Sequence, residues 1–306
     1  MSPSVPIQII GMPQDFGQTH RGVDMGPSAL RVAGLNERLA RLGLSVSDSG
    51  DVSCELMTTQ EVFEPKLRFL PAVVEGSRRL AAVVAEAASA GRFPLVLGGD
   101  HSTSIGTLAG LGTAGRRQGL IWLDAHADFN TPDTSPTGNI HGMALAVVLG
   151  RGDPRLTAVG GAARADGSRT VSEENTVIVG VRDIDPGERD ALKRSKVTLF
   201  TMRAIDEMGI AAVMRRALEI ALRGVDRVHL SLDFDVIDPS EAPGVGTPVP
   251  GGITYREAHV ALEIVADSGA LASMEIVEIN PTFDERNRTS ELAVGLVASA
   301  LGQRIY

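Results

Sequence analysis

Ile121-Trp122-Leu123-Asp124-Ala125-His126-Ala127-Asp128-Phe129-Asn130 is the stretch from which the chain is read. Leu120 to Leu123 is a short apolar run of the kind that forms a buried strand. Asp124, His126 and Asp128, all good metal ligands, then alternate with Ala125 and Ala127. In an extended chain alternate side chains leave the same face, at about 3.3 Å per residue. The three polar groups therefore leave a strand end together, with small alanines opposite. A buried strand has no use for two carboxylates and an imidazole unless a cation compensates them. Taken alone, the pattern also fits a solvated loop behind a strand, so the neighbouring segments must decide.

Working outward, the same arrangement recurs. The apolar run at Phe93 to Leu97 ends in Gly98-Gly99-Asp100-His101-Ser102. Strand-like Thr176 to Val181 ends in Arg182-Asp183-Ile184-Asp185-Pro186-Gly187-Glu188, and Val228 to Leu232 delivers Asp233-Phe234-Asp235. Met274 to Ile279 reads as a strand carrying Glu278. Further strands are expected at Ile7 to Gly11, Ser45 to Asp48 and Val197 to Phe200. Helical periodicity places helices at Pro27 to Leu42, Leu70 to Ala90, Ser102 to Leu111, His141 to Leu149, Ile205 to Leu222, Tyr255 to Ala266 and Ser290 to Leu301. Gly160 to Gly167 reads as a mobile surface loop. Strands alternating with helices along the whole chain predict an α/β fold. It would be a single-domain, three-layer structure over residues 1–306, with a doubly wound parallel sheet between helices. In open parallel sheets ligands sit beyond the carboxyl ends of the strands, where all these polar residues fall.

Composition narrows the function classes. The 306 residues are 43% hydrophobic with a net charge of −9, and no Lys/Arg block offers a phosphate footprint, which argues against nucleic acid. Cys54 is the only cysteine, which excludes an internal disulfide or a thiolate-rich metal site and fits a reducing cytoplasm. Residues Ile7 to Met12 read as a first strand rather than a signal segment, and no apolar run of about 18 residues suggests a membrane span.

Charge counting then sharpens the site. Asp124, Asp128, Asp233 and Asp235 supply four negative charges, while His101 and His126 supply two neutral imidazoles. Four clustered carboxylates repel unless balanced, and two divalent cations balance them. The oxygen-rich set favours Mn²⁺ or Mg²⁺, with zinc, cobalt and iron left open by the imidazoles. Two cations sharing one water make hydrolysis the natural chemistry. His141 either shuttles protons or caps a helix start facing solvent. Glu278 either faces a cationic substrate group or, as a lone strand-end glutamate, is simply exposed. His229, about 13 Å back along its strand from Asp233, reads as a core or supporting histidine. His20 and His259 carry no functional reading, and Trp122 and Phe234 read as core.

Gly98-Gly99-Asp100-His101-Ser102, Asp124-Ala125-His126-Ala127-Asp128 and Ser231-Leu232-Asp233-Phe234-Asp235 resemble the three metal motifs of the ureohydrolases. Within that superfamily the chain most resembles the arginases, through Gly22 to Pro27, Asp128 to Thr131, Gly138 to Gly142, Gly246 to Gly252 and Glu278 to Pro281. The resemblance covers nearly the whole chain. It implies two Mn²⁺ per subunit, one held by His101, Asp124, Asp128 and Asp233, the other by Asp124, His126, Asp233 and Asp235. It further implies hydroxide attack on the guanidinium carbon of L-arginine, giving L-ornithine and urea. On matching positions, His141 would be the proton shuttle and Glu278 the guanidinium anchor. Asn130, Thr137 and Asn139 would read the α-carboxylate, Asp185 and Glu188 the α-amino end, and Thr247 would lie near the substrate. Arg256-Glu257 matches an intersubunit charge pair, so a homotrimer or homohexamer is expected. The competing readings are a ureohydrolase acting on agmatine, guanidinobutyrate or formiminoglutamate, and a non-catalytic metal-binding relative.

Overall fold

The computed structural model describes residues 5–55, 62, 64–160 and 169–304. Its frame is one sheet of eight strands: β1 (Ile7–Met12), β2 (Val46–Asp51), β3 (Phe93–Gly98), β4 (Gly119–Leu123), β5 (Thr176–Val181), β6 (Thr198–Thr201), β7 (Val228–Asp233) and β8 (Leu271–Val277). Every neighbouring pair is parallel, in the order β2-β1-β3-β8-β7-β4-β5-β6. The last two strands therefore lie between two groups laid down earlier.

The helices are α1 (Gly26–Val32), α2 (Leu35–Arg41), α3 (Leu70–Ser89), α4 (Thr103–Thr113), α5 (Ala144–Val148) and α6 (Pro154–Gly160) in the first half. In the second half they are α7 (Pro186–Lys193), α8 (Met202–Met208), α9 (Ile210–Ala221), α10 (Tyr255–Asp267) and α11 (Arg288–Ala300). Successive strand residues feed opposite cores, as the two-residue period of a strand requires. Ile121 and Leu123 pack with α1, α2 and α8 to α11, whereas Leu120 and Trp122 pack with α3 to α7. Both faces of the inner sheet are covered, which explains why its central strands read as continuous apolar runs, whereas the edge strand β2 is polar and exposed.

Several expected elements differ in detail. The single helix expected over Pro27 to Leu42 is broken between α1 and α2, where Gly34 takes φ +85°. The one expected over Ile205 to Leu222 begins earlier, at Met202, and breaks at Gly209 with φ +80°. Both conformations belong to the left-handed half of the map that glycine tolerates, so the apolar period continues while the helix axis does not. His141 to Met143 is a 3-10 turn leading into α5. The second strand runs to Asp51, and the eighth ends at Val277, leaving Glu278 outside it. The short helices α6 and α7 were not expected from sequence. The loop expected at Gly160 to Gly167 lies, beyond Gly160 at the end of α6, outside the described residues.

Candidate metal centre and substrate cavity

His101, Glu278, Asp233/Asp235, Asp124/His126/Asp128 and Asp183/Asp185 follow β3, β8, β7, β4 and β5, five strands adjacent in the sheet in that order. Residues separated by up to 177 positions thus meet at one edge, where the His101 backbone N–H donates to Glu278 at 2.9 Å. The shared-edge reading of the sequence is what the topology builds.

Two groups of potential ligands form there, and Asp124 belongs to both. Ligand atoms of His101, Asp124 and Asp128 lie within 4.8 Å of one another, as do those of Asp124, His126 and Asp235. Nδ1 of His101 is 2.9 Å from Asp233 Oδ2, 3.1 Å from Asp128 Oδ2 and 3.3 Å from Asp124 Oδ2. Nδ1 of His126 is 3.0 Å from Asp235 Oδ2 and 3.5 Å from Asp124 Oδ1. The remaining Asp233 oxygen accepts from the Asp235 N–H at 2.9 Å, while Asp235 Oδ1 accepts from the Ala125 N–H at 3.1 Å. Backbone donors therefore hold the carboxylates in place, and their other oxygens converge.

The electrostatics show what such convergence costs without a cation. Burial and the neighbouring Asp124 push the Asp128 carboxyl up to about 6. Burial with Asp235 and Asp124 raises Asp233 well above the carboxylate range. Burial also opposes charge on His101 and His126, yet the surrounding carboxylates outweigh it and raise both imidazoles strongly. Asp124 is the exception: despite complete burial, His101 and His126 hold it below its usual value. Asp128 Oδ2 is buried and has no hydrogen bond, for its 3.1 Å approach to His101 lacks hydrogen-bond geometry. An orphaned buried carboxylate oxygen, oxygen-rich donors and two groups sharing one carboxylate fit a pair of divalent cations.

Above the ligands opens a cavity of about 290 Å³. Asn130, Thr137, Asn139, Asp185, Glu188 and Thr247, all picked from sequence, line it, as do His141, Asp128 and His126. Five carboxylates but no lysine or arginine occur among its walls. Asn130 donates to Asp185 Oδ2 at 2.9 Å and leaves its own buried Oδ1 without a partner. Thr137 Oγ1 accepts from the Asn139 N–H at 3.2 Å, which keeps its hydroxyl hydrogen available. Glu188 accepts the Phe129 N–H at 2.6 Å and, with Asp185, forms the capping box of α7. Burial, reinforced by Asp128 and Asp185, pushes Glu188 up to about 8. Thr247 donates to the ligand Asp235 at 3.1 Å.

Glu278 is fully buried beneath these walls rather than one of them. It accepts from the His101 N–H, from Gln18 Nε2 at 3.1 Å and pairs with His141 Nδ1 at 3.0 Å. Burial works against the His141 imidazolium, but Glu278, with Asp128 and Asp100 behind it, raises His141 to about 9. Glu278 and Asp128 hold φ of +65° and +48°, conformations a non-glycine residue adopts only under constraint. Asp100 serves the scaffold: its carboxylate accepts from the Gly17 N–H at 2.7 Å and from Ser102. Burial and Glu278 push it up to about 7.

Trp122 is core, as the sequence implies, and does more besides. Its indole stacks on His101, with centroids 4.0 Å apart, and donates to Asp124 Oδ2 at 2.8 Å. Its two-residue offset from Asp124 was the signal available, since side chains at i and i+2 share a strand face. Gln18 and His20, which also line the cavity, lie in a loop whose path no periodicity reveals.

A family model described as "Arginase family" matches residues 5–302. The chain belongs to the arginase family. Among curated arginases it is 49% identical to that of Bacillus caldovelox over 301 residues, covering 98% of this chain and 99% of the relative. It is likewise 49% identical to that of Brevibacillus brevis over 299 residues, covering 98% of each. A solved arginase structure from Bacillus caldovelox superimposes with a TM-score of 0.92 at 49% identity, covering 99% of this chain and 100% of the other. The three motifs that resemble those of the ureohydrolases are thus the ones the fold gathers at one edge, and the eight-stranded parallel sheet is that of the arginase structures.

Proposed function

We propose that the chain hydrolyses L-arginine to L-ornithine and urea, with two Mn²⁺ per subunit. The observation that carries the reading is a pair of ligand groups sharing Asp124 at the floor of a carboxylate-walled cavity. His101, Asp124, Asp128 and Asp233 would hold one ion, and Asp124, His126, Asp233 and Asp235 the other. When bound, the pair supplies activated water near neutral pH and neutralises the carboxylates.

The chain's own side chains supply the rest. Asp183, Asp185 and Glu188, the wall carboxylates outside the ligand sets, favour a cationic substrate. Glu278 fixes His141 through Nδ1 and keeps its imidazole protonated at neutral pH, so Nε2 has a proton to deliver to the departing amine. From beneath, Glu278 also adds the negative charge that faces the guanidinium. Asn130, Thr137 and Asn139 present amide and hydroxyl groups for an α-carboxylate. Asp185, Glu188 and the unpartnered Oδ1 of Asn130 suit an α-ammonium. Thr247 orients Asp235 from the cavity side.

The polar groups that would meet arginine's α-carboxylate are left unpaired by agmatine, which keeps the amine but lacks the carboxylate, and sites of this kind discriminate by up to ~10⁴–10⁵-fold. Urea release from arginine, agmatine and guanidinobutyrate, measured alongside metal content, tests the reading. A large preference in kcat/KM for arginine is expected. Comparable turnover of agmatine would move the assignment to another ureohydrolase, and no release from any of them would point to a non-catalytic metal-binding relative. Neither alternative is favoured by a feature of the cavity.

We further propose one domain over residues 1–306, since all eight strands share one sheet. A cytoplasmic homotrimer or homohexamer without nucleic-acid or membrane partners completes the reading. No helix among the described residues is long and apolar enough to cross a membrane. Glu257, of the matched pair Arg256-Glu257, caps α10 by accepting from Thr254 N at 2.9 Å and Oγ1 at 2.8 Å. Sedimentation of the purified protein reads the assembly directly.

A further inference from the structure

Beneath the metal centre runs a polar stripe that the reaction does not use. Cross-strand pairing sets Ser231 beside Glu275 and His229 beside Ser273 on β7 and β8. All four are fully buried, on the face opposite Leu230, Leu232, Met274 and Ile276. Such central strand positions normally hold apolar side chains, and an ionised carboxylate there needs close partners. Glu275 Oε1 accepts from Ser104 Oγ at 2.5 Å and from Ser231 Oγ at 2.7 Å, with His229 Nε2 at 3.4 Å. The Ser104 and Ser231 hydroxyls both donate to Glu275, so the carboxylate is an acceptor here. Ser231 has one hydroxyl hydrogen, and Glu275 takes it. Its oxygen, 2.8 Å from His101 Nε2, can then only accept.

We infer that Glu275, acting through Ser231, is a positioning residue that fixes the His101 proton on Nε2 and so presents Nδ1 as the ligating atom. Nδ1 is the nitrogen aimed at Asp124, Asp128 and Asp233. Trp122 stacked on the ring fixes its plane; the relay fixes which nitrogen carries the lone pair. This inference rests on the proposed metal centre.

The experiment is Mn²⁺ titration of the metal-free protein, followed by the resonance of free Mn²⁺, with ¹⁵N spectra of the histidine rings in protein loaded with diamagnetic Zn²⁺. Wild-type protein is expected to take up two ions and to show His101 protonated at Nε2. Ser231→Ala and Glu275→Met should each weaken the His101-side ion by about 10–100-fold. Glu275→Gln keeps an acceptor oxygen and should stay within a few-fold of wild type. Ser104→Ala removes a hydroxyl that touches Glu275 and keeps the backbone N–H that donates to the His101 carbonyl, and should do likewise. The double variant Ser231→Ala/Glu275→Met should bind no more weakly than Ser231→Ala, because the second change acts only through the first. Wild-type protein that takes up no ion sinks the metal centre and this inference with it. Normal uptake by the wild type with unchanged uptake by Ser231→Ala, or additive losses in the double variant, overturns the relay alone. Ser231→Ala removes a single hydroxyl, so it decides the matter even where Glu275→Met does not fold.

Discussion

At the scale of the residue, two substitutions separate metal binding from proton transfer. Asp128→Ala removes the carboxylate whose Oδ2 is buried without a hydrogen bond, and should take one ion per subunit with it and most of the activity. Metal analysis after dialysis checks it, and unchanged stoichiometry would count against the ligand role. His141→Asn should keep both ions yet lose about 10²–10⁴-fold in kcat, the usual worth of a placed proton donor; full turnover would remove it from the reaction. The ligand candidates are legible in the sequence as a D-x-H-x-D pattern behind an apolar strand, although β4 ends at Leu123 and Asp128 takes φ +48°, so a turn rather than strand alternation brings Asp124, His126 and Asp128 to the site. Trp122 is core, as its place in an apolar run implies, and its added contact with His101 is hidden in the sequence for an equally physical reason. An aromatic side chain in an apolar run is normally packing, and only the approach of β3 brings His101 onto its ring. The burial of Glu278 under His141 was similarly hidden, because a positive φ beyond a strand leaves no periodic trace.

Elements show the complementary pattern. Strand existence followed from apolar runs, since a sheet covered on both faces demands them, whereas helix boundaries failed where one glycine turned the backbone at Gly34 and Gly209. The helix α7 was missed because its signal, Asp185-Pro186 followed by Glu188, was assigned wholly to substrate recognition. The same two acids also cap that helix, so its position and the cavity wall are one construction. The turn after β3 gives a sharp prediction. A Cβ on Gly99 would stand 1.9 Å from the carbonyl oxygen of Gln14, a backbone atom with no rotamer to change. Gly99→Ala should therefore cost about 3 kcal/mol or more in urea unfolding, as severe overpacking does. Gly142→Ala meets nothing within 4 Å and should stay within about 0.5 kcal/mol of wild type. Equal effects of the two would show that the tight approach of the first loop is not what holds the β3 turn.

For the whole molecule, the buried acids and imidazoles set a pH dependence with a definite sign. Asp128 at about 6, Glu188 at about 8 and His141 at about 9 all hold protons more tightly than in the unfolded chain. The native state thus binds more protons between pH ~4 and ~9, so stability falls as pH rises through that window. The melting temperature of metal-free protein should decline from pH 5 to pH 9. Divalent cations should reverse the trend, because their binding releases the protons held on Asp128, His101 and His126, the groups that would ligate them. Free metal at a hundredfold excess over Kd adds about 2.7 kcal/mol per site. Melting curves recorded with chelator and with Mn²⁺ decide it; a metal-free protein that melts higher at pH 9 than at pH 5 contradicts the assignment.

The placement of β7 and β8 between β3 and β4 also bears on how the chain is made. A ribosome delivers the first six strands before either of the two that join them, so β3 and β4 wait with unpaired edges. Asp233 and Asp235, and Glu278 beyond β8, arrive in the last quarter of the chain, and until then no complete ligand set exists. Nascent chains should therefore depend on protection from edge-to-edge association late in synthesis. In refolding, metal uptake should mark the final insertion of the central strands.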